Sequence, residues 1–366
     1  MDVAGAVAGS RGLEATRAAG ESPRPLRPVR VAIVGLGRAG LAHATLLAAM
    51  PDCEVVALVD RRGEARARLR GLGYRARDFA RVARMLEAVK PDAAIVCGPQ
   101  HERAALATEV LAAGVAALVE HPFGVTLEQA EAVARAGEGK TLAGGCALAF
   151  EPIFRRAHEL LAAGVLGPIR QARSSMYVTR VFDARHPALL EPGPVAGGVL
   201  AQVACDLLFL LVWYLGMPAE VRATSQRIYG GLEDEMHAMM KLTSGVEVGF
   251  DCSWSVPGYP QPATVIELEG ENGKLLISDD GIEAELEQPR GGLAAGHSRL
   301  ASAELPHPAA FDWGGEAMYL MDAAFLAWAT GGPAPPNRGA FAIEVHRVMD
   351  ALYRAAASGE PQTVAS

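Results

Sequence analysis

From Val29 onward, short apolar runs alternate with longer stretches whose apolar residues recur at helical spacing. The runs 31–34, 54–59, 93–97 and 116–119 read as buried strands, and 38–50, 61–70, 79–89, 102–113 and 127–136 as the helices between them. Helix 38–50 stops before Pro51, 61–70 ends in Gly71-Leu72-Gly73, and 102–113 stops at Gly114. Parallel strands need a crossover, usually a helix, so this alternation predicts a doubly wound parallel sheet covered on both faces.

Past residues 141–150 the rhythm changes. Segment 154–163 reads as a helix closed by Gly164, and strand-like runs follow near 169–179, 220–228, 236–243, 246–255, 263–269 and 273–278. Ser244-Gly245 would turn a hairpin between 236–243 and 246–255. Helices return at 316–330 and 341–357. The spacing predicts an α/β chain in three parts: a disordered tail over 1–28, a first domain over 29–147, and an α+β domain over 148–366. The last helix is expected to pack back toward the first domain. The tail is rich in Ala, Gly, Arg and Pro and carries neither period.

Composition narrows the function. The formal net charge of −8 argues against a nucleic-acid or anionic-membrane binder. The longest apolar stretch, 203–217, contains Asp206 and is too short to span a bilayer, and no charged and apolar leader is evident. Cys53, Cys97, Cys146, Cys205 and Cys252 form no C-x-x-C pair, which fits free thiols in a reducing cytoplasm and no metal site.

Gly35-Leu36-Gly37-Arg38-Ala39-Gly40 is a G-x-G-x-x-G turn between a strand and a helix, and Asp60 closes the next strand. That context points to a dinucleotide. Gly35 permits the tight turn, Gly37 lets the backbone approach a pyrophosphate, and Gly40 lets helix pack on strand. The helix start offers unpaired N–H groups to phosphate. Asp60 would accept from the adenosine ribose and repel a 2′-phosphate, favouring NAD(H). NADP(H) stays open, because Arg61 and Arg62 follow at once.

Beyond the turn, the chain resembles the glucose–fructose oxidoreductase and inositol dehydrogenase superfamily. The segment 92–101, with Gly98, Pro99 and His101, resembles its fourth-strand segment beside the nicotinamide. Glu120-His121-Pro122 stands where the family carries Glu-Lys-Pro. Residues 155–170 resemble its linker helix, 197–216 its glycine-led substrate helix, and 351–361 its C-terminus. The resemblance implies a Rossmann domain followed by a large open-faced, mostly antiparallel sheet. It also implies hydride transfer to or from a sugar, cyclitol or related hydroxy or keto compound. A homodimer or homotetramer through that sheet is expected too.

The catalytic set departs from the family. His121 stands at the Lys place, Gln202 at the Asp place and Asp206 at the His place. Gln202 and Asp206 share a helix face at i, i+4, and an Asp in so apolar a stretch needs a partner. The expectation is a His121–Asp206 pair. Asp206 would raise the His121 pKa, His121 would serve as acid or base, and Gln202 would hold a substrate hydroxyl. Tyr177 or His186 is an alternative proton donor, and Arg180 an anion holder; Asp183 lies on the same loop. Glu120 and His121 would border the cofactor, and His43 is read as structural.

Three other readings stay open. Glu-His-Pro also resembles the superfamily's thiazolinyl imine reductases, implying imine or ketone reduction in a secondary pathway. Loss of the Lys–Asp–His set also suits a cofactor-binding, non-catalytic regulator, as in the superfamily's galactose-regulon repressor. Redox-assisted elimination, as in its glycosidase branch, is the remaining one.

Overall fold

A computed structural model describes residues 27–71, 74–181, 196–306 and 315–365. The tail up to residue 26, part of the Gly71–Gly73 stop, Asp183 and His186 lie outside the described residues.

The first domain runs β1 (Val29–Val34), α1 (Arg38–Ala48), β2 (Cys53–Val59), α2 (Gly63–Gly71), β3 (Arg77–Phe79), α3 (Val82–Val89), β4 (Ala93–Val96), α4 (Gln100–Ala112), β5 (Ala116–Glu120), α5 (Leu127–Ala136) and β6 (Leu142–Gly145). Its six strands are parallel, in the order β3-β2-β1-β4-β5-β6. Helices cover both faces, which is why β4 and the 31–34 part of β1 are continuous apolar runs: Val31, Ala32, Ile33 and all of β4 are buried. The strand order reverses between β1 and β4, and ligands of such sheets bind in the crevice at that switch point.

One segment differs from expectation. Residues 77–79 form a third strand pairing with Ala57, Leu58 and Val59, and the following helix begins only at Val82. Three residues with one large apolar side chain carry no readable period; pairing with β2 makes them a strand.

The second domain contributes α6 (Pro152–Ala162), β7 (Ile169–Tyr177), a wide π-turn (Leu200–Ala204) leading into α7 (Cys205–Leu215), β8 (Pro218–Gln226), β9 (Glu235–Leu242), β10 (Glu247–Ser253), β11 (Ala263–Gly270), β12 (Gly273–Ser278), β13 (Gly281–Leu286), β14 (Gly296–Ala301), α8 (Glu316–Ala329), α9 (Gly339–Ser358) and β15 (Gln362–Thr363). Nine strands form one sheet, β14-β13-β12-β11-β7-β10-β9-β8-β15, antiparallel except for β7 beside β10. The expected hairpin joins β9 to β10, with Gly245 at φ +87°. Strands β13 and β14 extend the sheet beyond the runs read from the sequence.

One face of this sheet is covered and the other is open. Along β10, Val248, Phe250 and Cys252 are buried, while Glu247, Gly249 and Asp251 point to the other side. Helix α7 is apolar nearly all round because it is buried: Leu207 through Val212 are enclosed. Helices α8 and α9 return to the first domain, α8 against α1 and α9 against α5 and β6. Gly144 and Asn337 tie this seam reciprocally: the Gly144 N–H donates to the Asn337 carbonyl, and the Asn337 amide donates back. Among the described residues, no helix is long and apolar enough to cross a membrane.

Candidate active site

The glycine turn is built as the spacing suggests. Gly35 has φ +92°, and a Cβ there would fall 2.6 Å from the Gly98 nitrogen. A Cβ on Gly40 would meet the Gly35 carbonyl at 1.9 Å. Both glycines are demanded by the chain itself. Gly37 is different: its φ is −76°, which any residue adopts, and a Cβ there would meet nothing within 4 Å. The chain leaves that space clear in front of the α1 amides, where no side chain caps the helix. This cradle fits a pyrophosphate.

Gly37→Ala should therefore leave the fold intact, at a cost of about 1 kcal/mol for placing Ala at a helix N-cap. It should weaken NAD⁺ binding at least about tenfold, because the added methyl occupies the phosphate approach. Calorimetric titration measures this, and unchanged affinity would remove the turn from the cofactor site.

Asp60 closes β2 and accepts from the Leu36 N–H at 2.8 Å, the Arg62 N–H at 2.8 Å and the Arg62 guanidinium at 3.1 Å. Burial opposes its charge, but these bonds outweigh burial and hold its carboxyl below the usual range. Arg61 pairs with Glu102 at 2.9 Å, and His101 is also near Glu102, at 3.6 Å. Both arginines that follow Asp60 are thus already engaged with carboxylates, which suits NAD(H) better than a 2′-phosphorylated coenzyme. Gly98 and Pro99 lead into α4, and Gly98 backs directly on Gly35.

At the ends of β4 and β5, one residue that the sequence did not mark holds the loops. Arg103 is buried, and its guanidinium donates to three carbonyls: Gly98 at 3.0 Å, Pro122 at 2.7 Å and Glu120 at 3.2 Å. It thereby joins the Gly98 loop to the His121-Pro122 loop, whose peptide bond is cis. Only its place on α4, facing inward, reveals this.

The Glu120 carboxylate bonds His43 Nε2 at 2.8 Å, while His43 Nδ1 meets Asp322 of α8 at 2.8 Å. His43 and Asp322 are both fully enclosed. Carboxylates at both ring nitrogens require both to carry protons. Burial works against that charge, but Asp322 and the neighbouring Cys97 overcome it and raise the His43 pKa well above the imidazole range. His43, Cys97 and Glu120 place ligand-type atoms within 4.8 Å of one another, yet both ring nitrogens are already committed to carboxylates. The group is an ion triad across the domain seam.

His121 and Asp206 both reach this end of the site, but the expected pair does not form; among the described residues no hydrogen bond or ion pair joins them. Asp206 instead accepts from the Cys146 thiol. Burial raises its carboxyl to about 7; the thiol works against that shift and the Glu120 charge adds to it. The residue as a whole is half-buried. His121 is turned against Phe123 and His346, with ring centroids at 5.2 and 4.7 Å. Its pKa lies well below the imidazole range, from burial first and then from His346 and Arg103. The expected rise through Asp206 is therefore corrected: cationic and imidazole neighbours surround His121, not a carboxylate.

Gln202 donates to the Gly197 carbonyl at 2.7 Å. Tyr177 is not brought to this cluster. Alternation along β7 buries Met176 and sends Tyr177 to the sheet's other side, against Tyr259 at 5.7 Å and near Asp251. A further unforeseen residue, Glu233, steadies the turn that leads into α7. Its carboxylate accepts from the Gly198 N–H at 2.6 Å and from the Tyr353 hydroxyl at 2.7 Å. Gly197 and Gly198 have no room for a Cβ, which would meet the Tyr353 hydroxyl at 2.0 Å and the Glu233 carbonyl at 2.1 Å.

A dinucleotide turn, a strand-order switch and a second domain that brings a carboxyl to the strand ends carrying an imidazole define a nicotinamide-dependent oxidoreductase. Residues 29–143 match the oxidoreductase family with NAD-binding Rossmann fold, and residues 154–276 match the GFO/IDH/MocA C-terminal domain. The chain belongs to the GFO/IDH/MocA oxidoreductase family. It is 28% identical over 260 residues to D-glucoside 3-dehydrogenase of Escherichia coli K12, covering 68% of this chain and 69% of that protein. It is 25% identical over 276 residues to D-apiose dehydrogenase of Paraburkholderia graminis, covering 73% and 72%. A levoglucosan dehydrogenase solved with NADH superposes with a TM-score of 0.83 at 18% identity, covering 93% of this chain and all of that one. GenD2 from gentamicin A biosynthesis, solved with NAD, superposes at 0.78 with 24% identity, covering 95% and 100%.

Proposed function

We propose that this protein is an NAD-dependent dehydrogenase of a sugar or closely related polyhydroxylated compound, and that Asp206 handles the proton. The observation that carries this reading is a carboxyl that burial raises to about 7, on a half-buried residue that lies with Cys146 and Glu120 at the ends of β6 and β5. A proton-transfer group works best when its pKa lies near the operating pH. The dehydrogenases of glucosides and of apiose among the relatives support the substrate class.

When bound, the coenzyme supplies hydride chemistry. Gly35 through Gly40 would hold its pyrophosphate, and Asp60 its adenosine ribose. In the oxidising direction, Asp206 takes the proton of the substrate hydroxyl. His121, neutral at working pH, offers a hydrogen bond to the same oxygen. Arg103 keeps the loops that carry these groups in register. The open sheet face, where Met239 is 44% exposed beside His237 and Arg173, is proposed as the contact between subunits.

The test combines calorimetry with NAD⁺ and turnover on glucosides, free pentoses and hexoses, cyclitols and anhydrosugars, following NADH absorbance. NAD⁺ binding with NADH formation on one of these classes is expected. Binding without turnover on any would favour the regulatory reading, and failure of a folded sample to bind NAD⁺ or NADH would sink the proposal altogether.

A further inference from the structure

Behind His121 stands a second imidazole, contributed by α9. His346 is enclosed, with 2% of its surface exposed. Its Nδ1 lies 2.8 Å from the Ala342 carbonyl, and its Nε2 lies 2.9 Å from the Phe123 N–H. A carbonyl only accepts and a backbone N–H only donates, so the proton must sit on Nδ1 and the lone pair on Nε2. Both partners are backbone groups, and together they admit one tautomer of the neutral ring. Burial pushes the pKa of His346 down to about 4, so this state persists at neutral pH.

The ring of His121 lies on this fixed imidazole, with centroids 4.7 Å apart and planes 29° from parallel. Phe123 completes the group at 4.8 Å from His346. On the inner side, His121 Nε2 is buried and has no hydrogen-bond partner. A Cβ on Gly144 would fall 2.7 Å from that nitrogen and 2.8 Å from the Ala342 methyl, so the inner edge is closed. A buried N–H without an acceptor costs more than a buried lone pair, so the His121 proton belongs on Nδ1. Nδ1 is then the nitrogen left to meet a substrate oxygen.

We propose that His346 is a positioning residue for His121. By capping the Phe123 N–H and backing the His121 ring, it fixes the loop after β5 and presents His121 as a neutral Nδ1–H donor. The proposal rests on the reading above that His121 meets substrate. It adds that α9, a helix of the second domain, sets the chemical state of a residue on the first. Protonating His346 would break the Phe123 bond and place a cation against the His121 ring, so the arrangement holds only while both rings are neutral. The charged group that acts on both rings is Arg103, which disfavours protonation of either.

Two variants separate the contacts. His346→Phe keeps an aromatic surface and leaves the Phe123 N–H unpaired; His346→Gln offers a carbonyl that can accept from that N–H. His346→Phe should lower kcat on the best panel substrate by about tenfold or more, with KM for NAD⁺ within about twofold, as expected when a reacting group is slightly displaced. His346→Gln should stay within about threefold of the parent kcat. In ¹⁵N spectra, His121 should show the Nδ1–H tautomer in the parent and in His346→Gln, and a tautomer mixture in His346→Phe.

Full kcat in His346→Phe, equal losses in both variants, or an unchanged His121 spectrum in His346→Phe would each overturn the proposal. The spectra need no substrate. A parent protein that turns over nothing would therefore defeat the dehydrogenase reading and still leave the positioning role decided by the ¹⁵N signals.

Discussion

Asp206→Asn is expected to lower the rate of substrate oxidation by about 10²–10⁴, the usual contribution of a positioned acid or base. Asn has the same shape and can still accept from Cys146, so the loss would report the proton and not the packing. The parent should gain activity in the oxidising direction as pH rises through about 7, the value to which burial pushes Asp206. In the reducing direction the same group must be protonated, and activity should fall over that range. The amide variant carries no such titrating group, so both limbs should vanish from the pH profiles.

The groups packed against Asp206 are Cys146 after β6, Glu120 at the end of β5, and Cys205 beside it on α7. Burial raises both thiols well above their ordinary range, so neither should produce a limb near neutrality. Steady-state rates across pH 5–9 decide the matter. A variant with parental kcat and an unchanged profile would remove Asp206 from the chemistry.

The largest stability effect is expected at His43. His43→Ala would leave Asp322 fully buried without its cation, along with Glu120, and breaking a buried ion pair from one side costs about 3–5 kcal/mol. Urea unfolding measures it, and a loss below about 1 kcal/mol would show that water or rearrangement satisfies the carboxylates. Adding Asp322→Asn should recover part of the loss, because the neutral amide no longer needs a counter-charge. The sign with pH follows from the raised folded pKa of His43. The triad's contribution is fully present below the unfolded imidazole value of about 6.5 and is lost as pH rises through the higher folded value. At alkaline pH the gap between the parent and His43→Ala should therefore narrow to what the lost ring volume and its remaining hydrogen bond cost.

The glycine turn and the alternating strands were legible because their causes are local. Gly35 and Gly40 are required by their own backbone surroundings, and residues 31–34 of β1 and all of β4 show their double burial as unbroken apolar runs. The short strand β3 and the strands β13 and β14 were not, since pairing with neighbours defines them more than their own composition does. Glu120, His121 and Asp206 could be marked as unusual, but not matched to partners. Those partners come from far along the chain: Asp322 lies 279 residues from His43, and His346 lies 223 from Phe123.

The chain by itself determined the glycine turn and the order of elements, and it marked His121, Gln202 and Asp206 as candidates, because spacing, period and residue type are local properties. Tertiary structure alone decided that Asp206 turns to Cys146 and not to His121, that His43 bridges two carboxylates, and that α9 supplies His346. Those choices depend on which helices fold back over the strand ends. There the cost of burying a charge or an unpaired N–H selects among neighbours that no local pattern can name.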